Sequence, residues 1–462
     1  MNDPDWDAVP LIAGSGGVLT EELRTSHAGR RALMLTRDEN PKEFLALADT
    51  MDIEVVEIVA QRGRSDTRTH LGRGRLEAIR DELRMAPESH PWFGIDLVLV
   101  NANLSARQLV NMTDMLQCET WDRVRLLLEL FTQHASSVEA RNQVRIARLN
   151  ADRNVLRELV NRETTGERLG YGAGGRTGWN VALNALSREL KTLRGRQRRY
   201  SRAIKERQRQ RRASGARTVG LAGYTNAGKS SLFASLCGKP VLVEDRYFST
   251  LETTVGRMQF SPRILLVDTI GFIDDIPSDL LDAFSATLEE SLECDLLLLL
   301  LDSSDSVEEV VRKFETSRRE LFDRTNPAGD PYDLLVVLTK YDSCSESHVA
   351  AVTQALKSFG VSETILTSST SFEGIETLRS SILTRLHGPP ISFRVLPPNS
   401  VSDRPIAAIE SEIRRNSMVK ERKMTDDGLY LVAWIDPADW GRLNRSLGER
   451  IHREVEESSQ AE

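Results

Sequence analysis

The residues whose types and spacing could do chemistry are concentrated between positions 217 and 342. RTVGLAG (217–223) is a short apolar strand ending in glycine. It runs into Gly223-Tyr224-Thr225-Asn226-Ala227-Gly228-Lys229-Ser230, followed by Ser231. This is the GxxxxGK[ST] spacing of a phosphate-binding loop. Gly223 and Gly228 let the backbone wrap so that its N–H groups converge on a β-phosphate. A helix starting at Lys229 adds its positive N-terminal end. Lys229 brings a full charge to the β- and γ-phosphates, and the Ser230 hydroxyl is a ligand for Mg2+. The chemistry these residues suit is phosphoryl transfer from a nucleoside triphosphate.

Further segments extend the site. Phe248-Ser249-Thr250-Leu251-Glu252-Thr253-Thr254 lies some twenty residues on. A switch segment at this place supplies a Thr whose hydroxyl ligates Mg2+ and whose N–H senses the γ-phosphate. Thr250, Thr253 and Thr254 all qualify by type, and the residues alone leave the choice open. RILLVDTIGF (263–272) is an apolar strand ending in Asp268, then Thr269, Ile270 and Gly271. Asp268 is placed to hold the Mg2+ shell, and Gly271 to turn its N–H toward the γ-phosphate. The next residue is Phe272, where many such proteins carry a water-orienting Gln. Intrinsic hydrolysis is therefore expected to be slow, or to depend on a group supplied elsewhere.

YDLLVVLTKYD (332–342) is another apolar strand, ending in Thr339-Lys340-Tyr341-Asp342. This resembles the guanine-reading NKxD with Thr in place of Asn. Asp342 would accept hydrogen bonds from guanine N1 and N2, donors that adenine lacks, so the expected substrate is GTP. The Lys340 stem would stack on the base. Thr for Asn drops an amide that braces the loop, so modest affinity is expected. Thr367-Ser368-Ser369 sits where a backbone N–H reaches guanine O6.

These segments need a scaffold. The chain has 462 residues, 40% apolar and 28% charged, with net charge −7. That length predicts two to four domains of ordinary soluble composition. The four cysteines are far apart, without metal or disulfide spacing, which fits a reducing cytosol. The N-terminus is acidic without an apolar core, and the longest apolar run, Leu296 to Leu301, is far too short to span a bilayer. A cytoplasmic monomer is the expectation. Residues 1–28 read as a disordered tail. Strands alternating with helices over 29–133 predict a small α/β domain. Residues 134–215 predict a long helical hairpin broken by the Gly-rich stretch 166–178. Residues 216–388 predict a P-loop domain, a parallel sheet with helices on both faces. Residues 389–462 predict a small α+β tail domain with a strand (ISFRVL), a helix (403–417) and a strand (428–435).

From Lys191 to Arg217 there are twelve Lys/Arg and one acid, Glu206. A solvated helix face is the plain reading of a charge run. An excess of eleven in 27 residues favours a polyanionic partner instead, and RNA in particular. GRGRLE (72–77) could grip a phosphate, although a Gly-Arg loop is more often just a turn.

GYTNAGKSSL, FSTLETT, DTIGFIDDIPSDLLDAFSATLEES and TKYD together resemble the HflX family within the Obg–HflX GTPases. Upstream, THLGRGR (69–75) resembles its T-Y-I-G-x-G-K, and VNANLSARQ (100–108) its F-N-x-E-L-S-P-x-Q. The resemblance covers roughly 30–387. It implies a GTPase in which Thr250 is the Mg2+-binding switch residue, with Lys229, Thr250 and Gly271 carrying catalysis and Ser230, Thr250 and Asp268 holding the metal. Phe272 also matches the family. Such proteins bind the large ribosomal subunit, and some split ribosomes under stress; the basic helix is the counterpart of that partner. Asn226 resembles K+-stimulated relatives, where it helps to hold a monovalent cation; a turn-favouring Asn is the alternative. The family's interdomain G-P-G-E-T-x-L-E stretch is replaced here by GAGGRTGWNVALNAL (172–186), and Ser369 replaces Ala, so this is a divergent member. The competing reading is an RNA-binding or RNA-remodelling NTPase with a regulatory nucleotide site and no stable ribosome association. A non-hydrolysing scaffold is disfavoured by the intact Lys229, Ser230 and Asp268.

Overall fold

A computed structural model describes residues 27–38, 41–165, 175–238, 254–268, 271–272, 294–324, 333–398 and 404–454. These fall into two compact units, one up to Ala203 and one from Ile204 onward.

The first unit opens with β1 (Arg31–Thr36), α1 (Lys42–Thr50), β2 (Glu54–Ala60), α2 (Arg73–Met85), β3 (Leu97–Val100), α3 (Ala106–Leu116), β4 (Glu119–Asp122) and α4 (Arg123–His134). The four strands are parallel, in the order β2-β1-β3-β4. β3 is LVLV and wholly buried, the pattern expected of a strand covered on both faces. Leu33, Leu35, Val98 and Val100 pack with Leu76 and Ile79 of α2 and Met112 of α3. Ser105 caps α3 through a capping box with Gln108, as its type predicts.

β4 and α4 were not distinguishable in the sequence. β4 is only ETWD, and α4 is buried along Leu126–Phe131, so it lacks the one-sided apolar stripe that marks a surface helix. The described chain also starts inside the stretch read as a disordered tail. His27 is buried, its Nε2 3.3 Å from Glu129 Oε2 and its ring edge-on to Trp121. The reason is that Glu129 is itself buried and gathers cations, with Arg125 at 2.6 Å and Arg148 at 3.3 Å.

Two long helices follow, α5 (Val138–Thr165) and α6 (Gly175–Ala213). Leu186, Leu190 and Leu193 recur at helical spacing and are buried. Arg145 pairs with Glu189 at 2.9 Å, and Arg194 donates to Asn150 at 3.2 Å. The arginines at 196, 198, 199, 202, 207 and 209 are exposed.

The second unit contains β5 (Arg217–Gly223), α7 (Lys229–Cys237), β6 (Thr254–Gln259), β7 (Ile264–Asp268), β8 (Leu296–Asp302), α8 (Val307–Arg324), β9 (Asp333–Thr339), α9 (Glu346–Ser358), β10 (Thr364–Leu366) and α10 (Ile375–His387). The sheet order is β10-β9-β8-β5-β7-β6. It is parallel except at the edge, where β6 runs antiparallel to β7. One face packs on α7 and α10, through Val219, Leu298, Phe233 and Ile382. The other packs on α8 and α9, through Leu297, Leu299, Phe314 and Val352.

The chain then forms β11 (Ile391–Val395), α11 (Ile406–Asn416), β12 (Ser417–Thr425), β13 (Gly428–Ile435), α12 (Pro437–Leu447) and β14 (Ile451–Glu454). The order β12-β13-β11-β14, all antiparallel, is the split βαβ, ferredoxin-like arrangement. The expected strand, helix and strand are β11, α11 and β13. β12, α12 and β14 are additional, and β12 hid because Lys420–Lys423 carries four consecutive charges. Trp434 leaves this small core and enters that of the six-stranded sheet, its Nε1 donating to Gly388 O at 3.2 Å. Among the described residues, no helix is long and apolar enough to cross a membrane.

Candidate functional site

Apart from Thr254 at the start of β6, the sequence-predicted site residues that the structure describes are carried by the carboxyl ends of β5, β7, β9 and β10. This is where ligands bind in open parallel sheets, because the following loops and helix N-termini converge there. β5 hands directly to the phosphate loop and α7, with Gly228 as N-cap. Gly223 cannot be replaced cheaply. Its φ is +150°, and a Cβ there would lie 2.5 Å from the Leu300 carbonyl oxygen on β8. Thr225 and Ala227 are buried, and Asn226 is exposed with φ +61°. Asn tolerates that left-handed turn better than most residues.

Tyr224 is buried, with Arg312 Cζ 5.8 Å and Lys313 Nζ 5.6 Å from its ring centroid. Its partners on α8 carried no motif and were missed.

Lys229 is 6% exposed. Its ammonium donates to Tyr224 O at 2.7 Å and Gly223 O at 3.2 Å. Burial pushes its pKa down to about 8 from 10.5, against the opposing pull of the Asp268 carboxylate. Holding the charge at pH 7 therefore costs roughly 3 kcal/mol of stability. A phosphate anion at the loop would remove much of that cost.

Ser230 Oγ donates to Asp268 Oδ2 at 2.9 Å, and Asp268 is 1% exposed. A hydroxyl and a carboxylate side by side, at the end of a phosphate loop, form a hard-oxygen donor set that fits Mg2+. This ion takes one or two protein oxygens and fills the rest of its shell with phosphate and water. When bound, it would neutralise charge on the β- and γ-phosphates.

Gly271 lies against the phosphate loop. A Cβ on it would meet Lys229 Nζ at 2.6 Å and Thr225 N at 2.9 Å, so only glycine fits. The next residue zips to the loop through its backbone. Phe272 N donates to Gly223 O at 2.9 Å, and Thr225 N donates to Phe272 O at 2.8 Å. The Phe272 ring is buried in the apolar cluster with Tyr224 and Phe314, so it offers no polar group to orient water. Thr254, one of three candidate switch threonines, is the first residue of β6 and pairs with Asp268 in the sheet. Thr250 and Thr253 lie outside the described residues, as do Phe248, Ser249, Leu251, Glu252, Thr269 and Ile270.

Thr339 corrects an expectation. Its Oγ1 lies 2.9 Å from Ala227 O in the phosphate loop and 3.1 Å from Leu301 O. The hydroxyl therefore supplies the brace that the missing amide was expected to leave out. Thr339 O in turn accepts from Ser303 Oγ at 2.6 Å. Lys340 adopts φ +55° and pairs with Asp302 at 2.8 Å. Asp302 and Ser303 end the Leu296–Leu301 run, a signal that could have been read. Asp342 is exposed, on a single 3-10 turn, Tyr341–Ser343. Tyr341 Oη contacts Glu373. Thr367 and Ser368 are buried beside it, Thr367 N donating to Leu338 O at 2.8 Å and Ser368 Oγ accepting from Thr370 N and Ser371 N; Ser369 is half-buried.

The family model described as "50S ribosome-binding GTPase" matches residues 218–340, and one described as "GTP-binding GTPase N-terminal" matches 38–132. The chain is 31% identical to the GTPase HflX of Methanocaldococcus jannaschii, over 68% of this chain and 75% of that one. It is 31% identical to GTPase HflX of Escherichia coli, over 68% and 74%. A solved structure, a GTP-binding protein from Sulfolobus solfataricus in complex with GDP, is 25% identical, covers 77% of this chain and 98% of its own, and superposes with TM-score 0.41. A phosphate loop, a buried lysine and a hydroxyl–carboxylate pair, in a chain with this degree of likeness, place it in the HflX family: it is a GTPase that binds and hydrolyses GTP.

Proposed function

We propose that this GTPase is a switch that associates with the large ribosomal subunit in its GTP-bound form. The observation that carries the reading is α6. Its apolar seam is buried, while Arg196, Arg198, Arg199, Arg202, Arg207 and Arg209 are exposed and suited to phosphate. The description of the matching family model, "50S ribosome-binding GTPase", points to the same partner. The reading does not extend to subunit splitting.

At the nucleotide, Lys229 and the loop N–H groups hold the phosphates, and Ser230, Asp268 and Thr250 would hold Mg2+. Gly271 turns its N–H to the γ-phosphate. Asp342 reads guanine N1 and N2, Lys340 lies under the base, and the 367–369 turn meets O6. With Phe272 buried, the attacking water must be oriented by another group, and this reading assigns that group to the bound subunit. Asn226 has a conformational reason to be Asn without any cation. Equal turnover in KCl and NaCl would remove K+ from the account.

The test is co-sedimentation with purified large subunits. The reading expects pelleting with a non-hydrolysable GTP analogue and not with GDP. Equal pelleting in both states, or none in either, overturns it. RNA binding without subunit binding would favour an RNA-remodelling NTPase.

A further inference from the structure

A cavity in the first unit has no part in the GTPase reading. Its volume is about 210 Å3, below the roughly 300–1,000 Å3 of drug-sized ligand pockets and far above the space one water needs. It lies past the carboxyl ends of β3 and β4, where α3, α4 and α5 meet. The sequence makes the space. Ala106 on α3, and Ala147 and Ala151 one turn apart on α5, stand short where larger apolar residues would close it. Leu109, Leu128 and Val155 form an apolar wall, and all three are buried. Asn103 and Asn154 are exposed and mark the mouth.

Three charged residues line the cavity, Asp122, Arg125 and Asp152. Two of them are engaged by the fold. Asp122 caps α4, its Oδ1 accepting from Arg125 N at 2.8 Å and its Oδ2 from Leu104 N at 3.3 Å. Arg125 pairs with Glu129 at 2.6 Å. Asp152 differs from both. Its side chain is 6% exposed, and its one close polar contact among the described residues is Arg125 Nη1 at 3.5 Å. That is well beyond the length of a charge-assisted hydrogen bond. A buried carboxylate with so little around it is costly, and a cation that donates hydrogen bonds would relieve the cost.

We propose that this cavity binds a small organic cation, an amine or amidine carried on a compact apolar body. The cationic group meets the Asp152 carboxylate, and the apolar body fills the space beside Leu109, Leu128 and Val155. Two of the three lining charges are negative, so the cavity repels phosphate and carboxylate groups. A hard metal ion fits no better. It needs about six or more oxygen ligands, the wall is apolar, and no group of three or more His, Cys, Asp or Glu able to hold a metal stands among the described residues.

The full-length protein is titrated by calorimetry with benzamidine and with phenethylamine. Benzamide and 2-phenylethanol serve as their neutral analogues. Asp152→Asn keeps the side chain's size and removes its charge, Ala151→Leu fills the cavity, and Asp81→Asn removes an exposed acid elsewhere. The expected result is saturable binding of at least one cation to wild type, weakened about tenfold or more in D152N and in A151L and unchanged in D81N. The neutral analogue should bind about tenfold more weakly than its cation. The bound cation should raise the melting temperature of wild type and not that of D152N. Should A151L fail to fold, D152N and the neutral analogues decide alone. No saturable binding of either cation would overturn the proposal. So would equal affinity in D152N, neutral analogues bound as tightly as the cations, or affinity retained in a folded A151L, which would put the probe elsewhere.

Discussion

The carboxyl edges of the two sheets of the α/β regions present their charges in opposite ways. At the carboxyl edge of the six-stranded sheet the key charge is buried: Lys229 is 6% exposed and donates to two loop carbonyls. At the carboxyl edge of the four-stranded parallel sheet Arg64, Arg68 and Arg75 are exposed, while Gln108 and Asn111 hold the loop backbone. A buried cation is costly until its anion arrives, so it discriminates and can act as a switch. An exposed arginine costs little whether its partner is present or not. Selectivity and stability pull against each other at the first edge and hardly at all at the second.

The largest effect should follow from Lys229→Met. Turnover should fall by roughly a hundredfold or more, since a full charge on the phosphates is lost. The fold should be as stable as wild type or more so near pH 7. The linkage sign is definite: the folded pKa of about 8 lies below the unfolded 10.5. The wild type therefore gains stability as pH rises from about 8 to 10.5, and the variant does not. Denaturant melts at pH 7 and pH 10 check this, and a destabilised variant at pH 7 would break the contrast between the edges.

A smaller effect is expected at the brace. Thr339→Val removes the hydroxyl that holds Ala227 O and should weaken GTP binding by about fivefold to twentyfold, roughly 1–2 kcal/mol. Thr339→Asn should retain affinity. Equal loss in both would assign the site to packing alone.

The first unit has a desolvation cost of its own, structural in kind. Burial pushes Asp152 up to about 6, with Arg125 opposing from 3.5 Å. Because the folded pKa is raised from 3.8, this group's contribution to stability is lost as pH rises from about 4 to 6. Asp152→Asn should therefore stabilise the fold by about 1–3 kcal/mol at pH 7.5 and change it little at pH 4. A variant destabilised at pH 7.5 would show that the Arg125 contact outweighs the burial.

What could be read from sequence follows the same division. Apolar strands such as Leu296–Leu301 and Ile264–Val267, each ending at a loop with defined chemistry, announced the nucleotide sheet and the positions of Lys229, Ser230, Asp268 and Asp342. Contacts between distant segments could not be read. Thr339 looked like a loss because its acceptor, Ala227 O, lies 112 residues away. His27 looked like tail because Glu129 is 102 residues distant. β12 and β14 were hidden because exposed edge strands need no apolar pattern, and α4 because a buried helix has no polar face. The switch threonine was chosen by resemblance alone, and Thr250 lies outside the described residues.

The central claim is a guanine-reading site whose turnover answers to the large ribosomal subunit. Its most direct test is steady-state GTP hydrolysis by the purified protein, alone and with large subunits, alongside Asp342→Asn. The account predicts a several-fold rise with subunits in the wild type, and a shift of preference toward xanthosine triphosphate in the variant. A rate indifferent to subunits, together with an Asp342→Asn protein that still prefers GTP, would contradict it.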